Sequence, residues 1–149
     1  MEQKLQYAEK DLRLFRTWLK ASKTLYDNAT KDIKSHGFTI ENFMVLELLY
    51  NKGPQYIQVI SENLMIPSGS ITYVLNKLEK KGLVKREISE ENKRYCEVVL
   101  TKEGEDLFNE IFPKHVETIV QNLAVLDDSE KEQFRALLKK VGLAAKELS

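Results

Sequence analysis

From Pro67 to Thr101 the chain reads PSGSITYVLNKLEKKGLVKREISEENKRYCEVVLT. Ile71, Val74, Leu75 and Leu78 recur at helical spacing, which predicts an amphipathic helix with one buried face. Lys80-Lys81-Gly82 stops it, with cations in the last turn and a glycine just beyond. A strand is predicted over Leu83 to Ile88, a polar charged tip over Ser89 to Lys93, and an alternating strand over Arg94 to Leu100. Thr101 then opens another helix. A helix followed by a two-stranded hairpin with a basic tip is the layout of a winged helix. A groove-sized helix beside a basic wing suits the major and minor grooves of duplex DNA.

Outward from that stretch, the chain alternates helical patterns with short breaks. His36-Gly37 interrupts the pattern that precedes it. Thr39 caps a helix whose buried face carries Phe43, Leu46 and Leu49. Lys52-Gly53-Pro54 ends that helix, and Ile57, Ile60 and Leu64 mark a short third one. Ser61 supplies a small side chain where helices cross. Ile66-Pro67 turns into the recognition helix, so the spacing is helix, tight turn, helix.

Both ends of the chain are more apolar than this small unit can cover. Leu5 to about Lys34 carries one stripe through Leu12, Phe15, Leu19, Tyr26 and Ile33, and a second through Leu14, Trp18 and Leu25. A helix apolar on two sides must bury both. The helix after Thr101 carries Leu107, Phe108, Ile111, Phe112, Val116, Ile119 and Val120, with Pro113 in its middle, where a kink is expected. Asp127 to Glu130 is a capping box before a last helix bearing Phe134, Leu137, Leu138, Val141 and Leu143. The predicted architecture is mainly α with a small β-wing. A winged helix over 36–101 is flanked by dimerisation helices over 1–35 and 102–149, all in one domain.

Composition agrees with this reading. A chain of 149 residues with six Gly and three Pro has room for one domain of long helices and few loops. No apolar run approaches the roughly 18 residues a membrane span needs, and MEQKLQYAEKDLR has no apolar signal core. A cytoplasmic protein without membrane partners is expected. One cysteine excludes an internal disulfide framework. Net charge is zero, but unevenly spread. Residues 52–102 hold nine Lys/Arg against six Asp/Glu, and residues 103–149 hold six against ten. The positive excess coincides with the winged helix, as phosphate contact requires.

The chain resembles the MarR family of bacterial transcriptional regulators over nearly its full length. The resemblance is carried by Phe38-Thr39 through Leu46, by Ile60-Ser61-Glu62, and above all by SGSITYVLNKLEKKGLVKR from Ser68 to Arg86. It continues through Arg94 and Val99-Leu100-Thr101-Lys102-Glu103-Gly104 to Leu126 through Glu130. It implies a winged-helix homodimer bound to pseudo-palindromic double-stranded operator DNA, commonly a repressor released by a small phenolic or lipophilic ligand or by cysteine oxidation. Three positions depart from the family pattern. Asn92 stands where the wing has an Asp two residues before its Arg, Tyr56 where a Thr or Ser caps the third helix, and Pro67 where a polar cap is common.

The DNA-contacting residues expected on this reading are Ser68, Ser70, Thr72, Tyr73, Asn76 and Lys77 from the recognition helix, with Lys93 and Arg94 from the wing. Tyr73 and Asn76 are expected to influence base choice, and Arg94 to enter the minor groove. Family ligands sit where dimer helices meet the winged helix. Here that implies a lining of Phe15, Trp18 and Leu19, Phe43 and Leu46, and Phe108, Phe112 and His115, around a small aromatic effector. The competing reading is that these aromatics fill the core. Cys96 alternates with Val98 and Leu100, which predicts an inward, inert thiol; the alternative is a thiol-oxidation switch. His36 and His115 lie far apart without a ligand cluster, so no metal is expected, and no cofactor. Phosphate loops and nucleophile elbows are missing, which argues against an enzyme. The remaining alternative is a winged-helix protein-interaction module that does not bind DNA.

Overall fold

In the computed structural model, which describes residues 5–92 and 95–149, six helices surround a small sheet. They are α1 (Glu9–Ser35), α2 (Ile40–Lys52), α3 (Ile57–Leu64), α4 (Ser68–Lys80), α5 (Lys102–Leu123) and α6 (Asp128–Glu147). Three strands, β1 (Gln55–Tyr56), β2 (Val84–Ile88) and β3 (Cys96–Leu100), form an antiparallel sheet in the order β1-β3-β2. The wing hairpin pairs Val84 with Leu100, Arg86 with Val98 and Ile88 with Cys96. The third strand was not anticipated. β1 is two residues long, pairing Gln55 with Val98 and Tyr56 with Glu97, and is too short to show a period.

Local chemistry sets the helix ends where the sequence places them. The Thr39 hydroxyl accepts the Asn42 N–H at 3.3 Å. At α6 the reciprocal capping box forms: Asp127 accepts the Glu130 N–H at 2.8 Å, and Glu130 accepts the Asp127 N–H at 3.1 Å. Thr101 works twice. Its oxygen accepts the Gly104 N–H at 3.0 Å, and its hydroxyl donates to the Gly82 carbonyl at 2.7 Å. The start of α5 is therefore tied to the end of α4. α3 and α4 begin at Tyr56 and Pro67 without a side-chain cap, as their sequence suggests. Gly82 turns the chain out of α4 at φ 75°, a conformation open to glycine at little cost. α5 remains helical from Lys102 to Leu123 through Pro113.

One apolar core joins the winged helix to α5. Phe43, Val45, Leu46 and Leu49 from α2 meet Ile60, then Ile71, Val74, Leu75 and Leu78 from α4, with Val84 and Val98 of the wing and Phe108 and Ile111 of α5. The terminal helices contribute little to it. Ile33 is the buried residue of α1, and α6 has none. Leu14, Leu137 and Val141 are 67, 62 and 64 % exposed in the single chain.

Gly104 marks the tightest approach in this core. A Cβ there would lie 2.2 Å from the Leu83 carbonyl oxygen and 2.8 Å from Leu100 Cδ1. The carbonyl is backbone and cannot rotate aside. Gly104→Ala is expected to destabilise the fold by about 1–3 kcal/mol, as other forced overpacking does. A fall in the urea midpoint at unchanged m-value would show it; an unchanged midpoint would refute the packing described.

Candidate nucleic-acid interface and its supporting core

The recognition helix α4 is held by its buried face and presents the other. Ile71, Leu75 and Leu78 are fully covered, while Ser68, Ser70, Thr72, Tyr73, Asn76 and Lys77 are exposed. These six expected contacts thus share the solvent side of one helix. Their side chains are not equally available. The Thr72 hydroxyl donates to the Ser68 carbonyl one turn back at 3.2 Å. The Lys77 ammonium lies 6.0 Å from the Tyr73 ring centroid, at the outer limit of a cation–π contact. Asn76 Oδ1 accepts a hydrogen bond from the Arg86 guanidinium at 2.6 Å, and the Arg86 Nε–H donates to Glu79 at 2.8 Å.

Arg86 is the residue that sequence reading passed over. It lies on β2 between exposed Lys85 and Glu87, so alternation turns it toward α4 with Val84. Lys93 and Arg94, expected at the wing tip, lie outside the described residues. The Ser89 N–H donates to the Tyr95 carbonyl at 3.0 Å, and the Tyr95 N–H to that of Asn92 at 3.0 Å. Tyr95 packs on Tyr56 with ring centroids 5.5 Å apart. Cys96 is half-buried at the start of β3.

The residues expected around an effector fall into two groups. Phe43, Phe108 and His115 are buried together, with Phe43 5.1 Å from Phe108 and 4.6 Å from the His115 ring. Phe112 stacks on Phe108 at 5.5 Å, and Leu46 is fully covered. Phe15, Trp18 and Leu19 are exposed instead. Two cross-links fix their distance. Asp32 meets His115, and Asn28 donates to Asn122 at 2.7 Å, so α1 and α5 run antiparallel. Trp18 then lies roughly 20 Å along α1 from Asp32, at 1.5 Å per residue. One protomer does not bring the eight residues together. A surface cleft of about 480 Å³ shares none of them, being lined by Leu49, Tyr50, Gly53, Pro54, Val99, Leu100, Glu105 and Asn109.

His115 has the carboxylate partner that its sequence surroundings lack. Its Nδ1–H donates to Asp32 at 2.8 Å, the Thr118 hydroxyl donates to the same carboxylate at 3.1 Å, and His36 Nε2 lies 3.5 Å from it. Asp32 and His115 are 83 positions apart, beyond the reach of local pattern. Among the described residues no group of His, Cys, Asp and Glu is arranged to hold a metal, and no helix is long and apolar enough to cross a membrane.

Comparison with known proteins adds to this geometry. The MarR family model matches residues 38–95. HTH-type transcriptional regulator MhqR of Bacillus subtilis is 42% identical over 139 residues, covering 93% of this chain and 96% of that protein. AbsC, a MarR family transcriptional regulator from Streptomyces coelicolor, superposes with a TM-score of 0.84 at 20% identity, over 92% of this chain and 95% of its own. NadR, solved in complex with 4-hydroxyphenylacetate, has a TM-score of 0.73 at 26% identity, over 84% and 89%.

Asp32→Ala removes the acceptor of two partly buried donors. Because an orphaned buried donor costs more than a bond gains, a loss of about 1–3 kcal/mol is expected. Urea titration measures it. A variant as stable as the parent would mean that the Asp32–His115 contact does not hold α1 to α5.

Proposed function

The chain belongs to the MarR family of transcriptional regulators, and on that footing we propose that it is a homodimeric repressor that reads a pseudo-palindromic duplex operator with α4 and the wing. The observation that carries this reading is the division of α4. Four apolar side chains anchor it, and six small, polar or basic ones face outward in register. Asn and Thr can read base edges, whereas Ser and Lys hold phosphate. Arg94 is expected to enter the minor groove beside each half-site, with Lys93 as a further DNA contact. Dimerisation is supported by the apolar surface that α1, α5 and α6 leave exposed, since a soluble chain rarely presents that much of it. A two-fold dimer carries two recognition helices, which suits half-sites about one helical turn apart.

We further propose that a small aromatic molecule releases the operator. The similar protein NadR has been solved in complex with 4-hydroxyphenylacetate. Because Phe15, Trp18 and Leu19 lie apart from the Phe112–His115 cluster within one chain, the site we propose is closed by a second copy's α1. Such a ligand acts by favouring a recognition-helix spacing that no longer matches the operator.

Selection from a random duplex pool tests the first proposal. Enrichment of a two-fold symmetric motif is expected, and no enrichment at low salt would refute it. With the selected duplex, Arg94→Ala is expected to weaken binding by about tenfold while leaving the oligomeric state unchanged; equal affinity at matched salt would remove Arg94 from the interface. For release, titration with salicylate and hydroquinone is expected to dissociate the complex, with Phe112→Ala needing roughly tenfold more ligand. Absence of release at millimolar aromatic, with dissociation by a thiol oxidant that Cys96→Ser abolishes, would replace the ligand by Cys96 as the switch.

A further inference from the structure

We propose that Arg86 is a positioning residue for base choice: it turns the Asn76 carboxamide oxygen toward β2, so that Asn76 meets DNA chiefly through its Nδ2–H donors. The inference rests on the DNA reading proposed above. A free asparagine reads adenine with both ends of its amide, accepting from N6 and donating to N7. Here Arg86 takes one of the two Oδ1 lone pairs and turns the oxygen toward β2, away from the arrangement that bidentate reading requires. Arg86 has donors and no acceptor, so the Asn76 atom it meets at 2.6 Å must be Oδ1. The amide orientation follows from chemistry, and Nδ2 is left as the free end.

Glu79 makes the lock rigid. It receives the Arg86 Nε–H at 2.8 Å, so the guanidinium is gripped from two positions three residues apart on α4. Arg86 is held from behind by β2, whose register with β3 places it opposite the fully buried Val98. The same ion pair offsets its charge, so Arg86 is not a free cation for phosphate. An amide that presents Nδ2 first favours guanine, which offers O6 and N7 acceptors in the major groove. It forfeits the bidentate advantage of adenine and is mismatched to the N4 donor of cytosine.

The experiment is random-pool duplex selection with wild type, Asn76→Ala and Arg86→Met, followed by titration of the selected duplex at several salt concentrations. Wild type is expected to enrich guanine at one position per half-site, and Asn76→Ala to lose preference at that position only. Arg86→Met, which frees the amide, is expected to move the preference to adenine with an unchanged salt slope. Replacing that guanine by 7-deazaguanine is expected to weaken wild-type binding several-fold, a test that needs no variant to fold. Retention of guanine by Arg86→Met, or equal affinity for the 7-deaza duplex, would overturn the proposal. So would a salt slope reduced by about one in Arg86→Met, which is the mark of a direct phosphate contact. If wild type enriches no motif while Arg86→Met and Asn76→Ala behave alike, the DNA reading itself fails, and the lock fails with it.

Discussion

Phe43 of α2 and Phe108 of α5 lie with ring centroids 5.1 Å apart, both fully buried, and most of the molecule is arranged around that contact. α2 carries the winged helix, whereas α5 is one of the helices that flank it. Tyr50 and Phe112 extend the cluster outward, and His115 extends it to Asp32 of α1. At the other end of α5, Thr101 and Gly104 bind it to the turn after α4 and to Leu83. Close-packed interiors transmit displacement because they have little free volume. On the reading proposed above, a shift of α5 would reach the recognition helix through α2, with which both share the core.

That coupling gives the terminal helices a role beyond covering apolar surface. α5 shares its buried face with the winged helix and leaves Val116, Ile119 and Val120 exposed. α6 follows with no buried residue. In the account proposed here a second copy covers these stripes, so the dimer contact and the recognition helix lie on opposite sides of one rigid element. A ligand that alters the first alters the spacing of the second. The effector residues need no single-chain pocket on this view, which agrees with Phe15 and Trp18 standing a long way along α1 from Phe112.

The sequence was legible where determinants are local. Thr39, Thr101 and the Asp127–Glu130 pair announce helix starts because a cap acts within three residues. Ile71 to Leu78 define the buried face of α4 because the helical period is short. Gly82 marks a turn that needs positive φ. Contacts between distant segments were not legible. No pattern near His115 points to Asp32, and none near Asn76 points to Arg86, since each pairing depends on how two elements cross. The family resemblance assigns the effector residues to a junction of helices, and a helical pattern by itself does not say which turns of two helices meet there. The core therefore took Phe43, Leu46 and Phe108, and left Phe15, Trp18 and Leu19 outside. β1 escaped because two residues carry no period.

On the proposed reading, the apolar faces of α1, α5 and α6 are dimer surfaces that set the spacing of two recognition helices. Sedimentation equilibrium of the full chain, without DNA and across a hundredfold concentration range, tests it most directly. A single species of twice the chain mass, persisting to the lowest concentration, is the predicted result. A stable monomer with native helicity over that range would contradict the account.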